Sequence, residues 1–68
     1  MNNDLILKNN LKKIRQEKGI TQMELALKVG TTRQTILAIE KGEFNPSAKL
    51  ALLLCFALDV AFEDVFYF

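Results

Sequence analysis

The sequence predicts an all-α domain of five short helices, with its two chain ends paired as a small two-stranded antiparallel sheet. Three observations carry that expectation. The chain's three glycines, Gly19, Gly30 and Gly42, each close a segment in which apolar residues recur at helical spacing. Residues able to cap a helix stand in front of these segments: Asn9 and Asn10, Thr21, Thr31 and Thr32, and Asn45 to Ser47. The ends "LIL" (5–7) and "FYF" (66–68) are short, apolar and compatible with strands.

The elements follow in order. Asn9 or Asn10 can cap a helix from Leu11 to Lys18, with Leu11 and Ile14 inward and lysines outward. Gly19 ends it beside a basic last turn that suits the helix dipole. Thr21 opens a second helix, and Glu24, three residues on, can reach back to it in a capping box. Leu25, Ala26 and Val29 supply its buried face, and Gly30 stops it with a left-handed turn. Thr31 or Thr32 caps a third helix that ends at Gly42. Either Asn45 with Pro46 at the first helical position, or Ser47, starts a fourth. That helix is apolar on nearly every side, as expected of one at the centre of a small bundle. A fifth covers about Phe62 to Val65, and Leu5 to Lys8 is expected to pair with about Val65 to Phe68.

Composition bounds the rest. Sixty-eight residues make one domain over 1–68, and half of them are hydrophobic, so the chain is globular with a limited core. Scaffolds this small generally need disulfides, a metal or a partner subunit. One cysteine and no histidine exclude a disulfide framework and leave no ordinary zinc site, so oligomerisation is the expected staple, with no metal or cofactor. The start "MNNDLILKNN" lacks a secretory signal pattern, and the longest apolar run, from Leu50, carries Asp59 and falls short of the roughly 20 residues needed to span a bilayer. The expected location is the cytoplasm, at the nucleoid, with no membrane partner. Enzyme readings find no support. There is no histidine base, no phosphate-binding glycine loop and no carboxylate cluster, and Cys55 lies in the apolar stretch "LLLCFAL".

Net charge is only +1, but its distribution is uneven. Lys8, Lys12, Lys13, Arg15 and Lys18 cluster against Glu17 alone, whereas Asp59, Glu63 and Asp64 are the only charges from Asp59 onward. A polyanion would sense that dipole, although two solvated surfaces would read the same way. The middle of the chain is more specific. Gln22, Ala26, Gly30, Ile36 and Ile39 have the spacing of a helix-turn-helix over about 22–41. A small Ala26 lets the third helix cross close to the second, Gly30 makes the turn, and Ile36 and Ile39 hold the third helix from behind. Its amino end then projects outward, the geometry by which a recognition helix enters the major groove.

Four blocks in register, "LKKIRQEKGITQMELALKVG", "TTRQTILAIEKG", "NPSAKLAL" and "FEDVF", resemble the lambda-repressor-like (Cro and xenobiotic-response-element) DNA-binding proteins from Leu11 to about Phe66. The resemblance implies double-stranded DNA as the partner and an ion pair between Arg15 and Glu40. It places Arg33 and Gln34, with Leu37 and Ala38, at base-reading positions. The chemistry agrees, since Arg pairs with guanine O6/N7 and Gln with adenine N6/N7. Gln22 matches a phosphate-clamping position at the amino end of the second helix. Thr31, Thr32, Thr35, Lys41 and Lys12 are expected on the DNA backbone or on mixed contacts, with Thr32 equally suited to serve only as a cap.

The sequence departs from that family's pattern in three places. Leu37 replaces a polar reader and can either touch a thymine methyl or pack on the following loop. Ala61 stands where a Ser or Thr caps the last helix, so that helix is expected to fray or start elsewhere. The loop "GEFNPS" carries Glu43 and few basic groups, so affinity per subunit is expected to be modest. Three classes follow: a transcriptional regulator, expected to be a repressor of prokaryotic or phage type; an antitoxin that binds DNA and neutralises an unidentified protein partner; and an interaction module without DNA binding, against which Arg33, Gln34 and Gln22 argue. A homodimer on a palindromic operator would compensate for modest affinity, with Leu58, Val60, Phe62, Phe66 and Phe68 as its expected interface.

Overall fold

The computed structural model describes residues 5–68, so the first four residues of the expected 1–68 domain lie outside the described residues. The elements run β1 (Lys8–Asn9), α1 (Leu11–Glu17), α2 (Gln22–Val29), α3 (Arg33–Glu40), α4 (Ala48–Leu58), α5 (Phe62–Val65) and β2 (Phe66–Tyr67). Among the described residues there are therefore five helices and a two-stranded antiparallel sheet, as the sequence predicts.

The caps explain the boundaries. At α2 the full capping box forms: the Glu24 backbone N–H donates to Thr21 Oγ1 at 3.0 Å, and the Thr21 N–H donates to Glu24 Oε1 at 2.9 Å. Thr32, not Thr31, caps α3, its Oγ1 accepting from the Thr35 N–H at 3.1 Å. Ser47, rather than Asn45 with Pro46, caps α4 by accepting from the Leu50 N–H. Ahead of α1 it is Asn9 Oδ1 that accepts from the Leu11 N–H, while Asn10 occupies the cap position without a side-chain bond to the helix and donates instead to the Asp64 carbonyl. Ala61 has no acceptor to offer, yet α5 starts directly after it. Asp64 compensates, its carboxylate accepting from the Ala61 N–H at 3.1 Å, which is half of a capping box. The expected fraying at Ala61 is thus corrected by a carboxylate three residues on.

At the C-terminus of α2, Gly30 takes φ 75°, and the Thr31 N–H reaches back to the Ala26 carbonyl. Asp59 does the same work after α4 at φ 56°, the one non-glycine in the left-handed region among the described residues. Asp tolerates that region better than most residues because its short side chain can bond locally.

The core is built from one face of each helix: Leu11 and Ile14, Leu25, Ala26 and Val29, Ile36 and Ile39, Ala51, Leu54, Cys55 and Leu58, and Val65, with Phe66 from β2. Helix α2 packs against both α3 and α4, and α1 closes on α3. One expectation is corrected here. Helix α4 is not enclosed: Leu52, Leu53 and Phe56 face outward, with Phe56 86% exposed.

The sheet also differs in extent from the expected Leu5–Lys8 pairing with Val65–Phe68. Lys8 pairs with Tyr67 and Asn9 with Phe66, so the ladder lies one to three residues later on the first strand, and Leu5 and Ile6 stay exposed. Two bonds set this position. Asn9 Nδ2 donates to the Ile39 carbonyl at 2.9 Å, and the Asn10 N–H donates to the Val65 carbonyl at 2.8 Å. Together they fix the first strand against α3 and α5. A pair this short needs its face covered. The domain's own core covers it in part through Phe66, 3% exposed, and Leu7.

Candidate nucleic-acid interface

The α2–turn–α3 unit holds one helix tip out of the domain. Ile36 and Ile39 are fully buried and anchor α3 from behind, and the fully buried Ala26 permits the close approach to α2. On the opposite side the first residues of α3 are free. Arg33 and Gln34 are exposed, Thr35, Leu37 and Ala38 are half-buried, and Lys41 is exposed beyond the C-terminal end. Thr31 is half-buried in the turn, whereas Thr32 is exposed with its hydroxyl committed to the cap and 3.0 Å from Thr35 Oγ1. Arg33 and Gln34 therefore stand adjacent and exposed at the start of α3, flanked in sequence by the hydroxyl residues Thr31, Thr32 and Thr35.

Behind the tip lies a charged brace. Arg15 is buried in the core region, and its Nε donates to Glu40 Oε2 at 2.7 Å. Its Nη2 reaches Glu40 Oε1 at 3.3 Å, and its Nη1 donates to the Ile20 carbonyl at 2.8 Å. The guanidinium thus ties together three places: the body of α1, the segment leading into α2, and the last turn of α3. Gln22 joins the same carboxylate, its Nε2 donating to Glu40 Oε1 at 3.0 Å. The head of α2 is consequently locked to the foot of α3. Gln22 keeps one further amide proton for another acceptor.

The pattern of the helix-turn-helix family matches residues 11–65, from the start of α1 to the end of α5. The chain belongs to the lambda-repressor-like helix-turn-helix family. It is 48% identical over 61 residues to YgzD, an uncharacterized HTH-type transcriptional regulator of Bacillus subtilis, covering 90% of this chain and 92% of that one. It is 47% identical over 62 residues to an uncharacterized HTH-type transcriptional regulator of Methanocaldococcus jannaschii, covering 91% and 94% of the two chains. Among solved structures, the restriction-modification controller protein C.AhdI from Aeromonas hydrophila superposes with a TM-score of 0.75 at 33% identity, over 79% of this chain and 78% of that one. Membership in this family makes the chain a DNA-binding regulator rather than an enzyme.

Within this helix-turn-helix frame the site residues expected from the sequence fall into three groups. Arg33, Gln34, Thr32, Thr35, Leu37, Ala38 and Lys41 come together on and around α3, with Gln22 adjoining through Glu40. Lys12 lies apart on α1, exposed, and lines a groove of about 270 Å³ with Lys13, Gln16 and Glu40. The expected dimer residues separate. Leu58 and Phe66 are 1% and 3% exposed, so both belong to the domain's own core and offer almost no surface to a partner. Phe62 and Phe68 remain exposed, Phe62 stacking at a tilt on Phe66 with ring centroids 5.1 Å apart, and Val60 packs partly on the core.

Sequence reasoning named Asn9 as a cap but missed its second role, because a cap assignment does not reveal a contact to Ile39, thirty residues away. It also missed the outward apolar face of α4. Helical spacing groups Leu52, Leu53 and Phe56 on one side and Ala51, Leu54, Cys55 and Leu58 on the other, but both groups are apolar and only packing tells them apart. Cys55 is buried, and its thiol is pushed above the ordinary range, first by burial and then by the negative charges of Asp64 and Glu63. That environment suppresses the thiolate.

Proposed function

We propose that this protein is a sequence-specific double-stranded-DNA-binding repressor, acting as a homodimer on a palindromic operator in the cytoplasm. The observation that carries the reading is the exposed Arg33–Gln34 pair at the start of α3, held from behind by the fully buried Ile36 and Ile39. In this reading α3 enters the major groove, Arg33 reads guanine and Gln34 adenine, and Leu37 and Ala38 offer methyl surfaces to thymine. Gln22 directs its remaining amide proton to a phosphate, and Lys41 with the threonines completes the backbone contacts. Twofold symmetry sets two such helices about one helical turn apart, roughly 34 Å, so that the operator mirrors the protein.

The test is selection of bound duplexes from random DNA, followed by titration on the selected and scrambled sites at several salt concentrations. A selected site with two inverted half-sites about a turn apart is the expected result. Affinity that is equal on all sequences overturns the base-reading role, and a single unrepeated half-site overturns the palindromic homodimer.

A further inference from the structure

The outer side of α4 carries a pattern that DNA binding does not use. Lys49, Leu52, Leu53 and Phe56 are all exposed and lie on the face opposite the four residues that α4 gives to the core. Phe56 is 86% exposed and Leu52 59%. Large side chains so placed, three on one helical face, mark a contact surface in a soluble domain. Beside Phe56 an open groove of about 410 Å³ continues over Asp59, Val60 and Ala61. The stripe is basic at its amino end, at Lys49, and acidic at its carboxyl end, at Asp59.

That polarity selects the occupant. An anionic membrane or a nucleic acid would be repelled by Asp59, Glu63 and Asp64 at and beyond the carboxyl end. A second copy meets no such conflict if the two helices run antiparallel. Lys49 and Asp59 lie equally far from the level of Leu54, and so do Leu52 and Phe56. A twofold axis at that level therefore sets each residue against its complement. A parallel pairing would instead oppose lysine to lysine and aspartate to aspartate, at a cost.

We infer that the second copy of the homodimer, on whose existence this inference rests, docks on the outer face of α4. Two α4 helices cross antiparallel about a twofold axis near Leu54. Leu52 of each chain packs against the partner's Phe56, and Lys49 pairs with the partner's Asp59 at the edge of the groove. The apolar character of α4 on both sides then has one explanation for each side: its own core behind, and its symmetry mate in front.

The test is sedimentation of the full chain and its variants over a concentration series, with far-UV circular dichroism melts to confirm folding. Phe56→Ser removes an anchor that the monomer leaves exposed, and is expected to raise the dimer dissociation constant by about 30-fold or more. Lys49→Glu sits in the first turn of α4, where a carboxylate suits the helix dipole, so the fold is spared. It should nonetheless weaken the dimer about tenfold, because two symmetry-related attractions become repulsions. Asp59→Asn keeps a residue that tolerates the left-handed turn, and in the Lys49→Glu background it should restore part of the lost affinity. A wild-type dimer indifferent to these variants overturns the α4 face and leaves the homodimer standing. A wild type that is monomeric at every concentration, free and on DNA, overturns both.

Discussion

Glu40 holds Arg15 through both of its oxygens, Oε2 accepting from Nε at 2.7 Å and Oε1 from Nη2 at 3.3 Å, in a pocket where both side chains are nearly inaccessible to water. Removing one partner strands the other charge in low dielectric. Glu40→Ala or Arg15→Ala is therefore expected to cost about 3–5 kcal/mol in urea unfolding. Glu40→Ala should also free Gln22, and DNA affinity measured well below the unfolding transition should fall more than it does for Arg15→Lys. Equal affinity in the two variants would show that Glu40 contributes only to stability.

Base reading and backbone binding separate by their response to sequence and salt. Arg33→Ala and Gln34→Ala are expected to cost about 1–3 kcal/mol on the preferred site and much less on scrambled DNA. Lys41→Ala and Lys12→Ala should weaken both duplexes alike and reduce the salt slope by about one unit per lost phosphate contact. Lys12 is the sharper case, because it stands on α1 away from the α3 tip. A salt slope unchanged by Lys12→Ala would remove it from the DNA contacts.

Cys55 is expected to behave as a small core hydrophobe. Cys55→Ser buries a hydroxyl and should destabilise by about 1–3 kcal/mol, whereas Cys55→Ala should leave DNA affinity unchanged. Alkylation of the native thiol should be slow and should accelerate on unfolding. Loss of DNA binding on mild oxidation that Cys55→Ala abolishes would contradict this.

Glu24 gives a pH signature. Its carboxylate accepts from the Thr21 backbone N–H, and that bond first, with the neighbouring Thr21 side chain second, holds its pKa below the ordinary carboxylate value. A depressed folded-state pKa stabilises the fold above the unfolded-state value, and that contribution disappears as pH falls through the folded-state value. Thermal stability should consequently decline on acidification below the ordinary carboxylate range, and less steeply in Glu24→Gln. Parallel melting curves for the two proteins across that range would exclude Glu24 as a source of acid sensitivity.

Much of this architecture was legible in one dimension because the signals are local. Glu24 lies three residues from Thr21, so a capping box is a statement about four consecutive residues. Gly30 follows from the left-handed turn it must adopt, and Ile36 and Ile39 follow from helical spacing. The tip residues Arg33 and Gln34 were visible for the same reason: once the buried face of α3 is known, its free face is known too. The Arg15–Glu40 contact spans twenty-five residues, and only the likeness to a family pointed to it before the geometry did.

The helices, the places where caps must stand and the exposed tip of α3 can all be read along the chain, since each depends on neighbours within a turn or two. Tertiary structure alone decided the strand register, the joining of Gln22 to Glu40, and which apolar residues are spent on the core. Leu58 and Phe66 look as available for a partner as Leu52 and Phe56 when read by hydrophobicity. They part only when α4 and β2 come to rest on the other helices. Burial is a property of the assembled surfaces, and no local pattern within an all-apolar helix states which side the core will take.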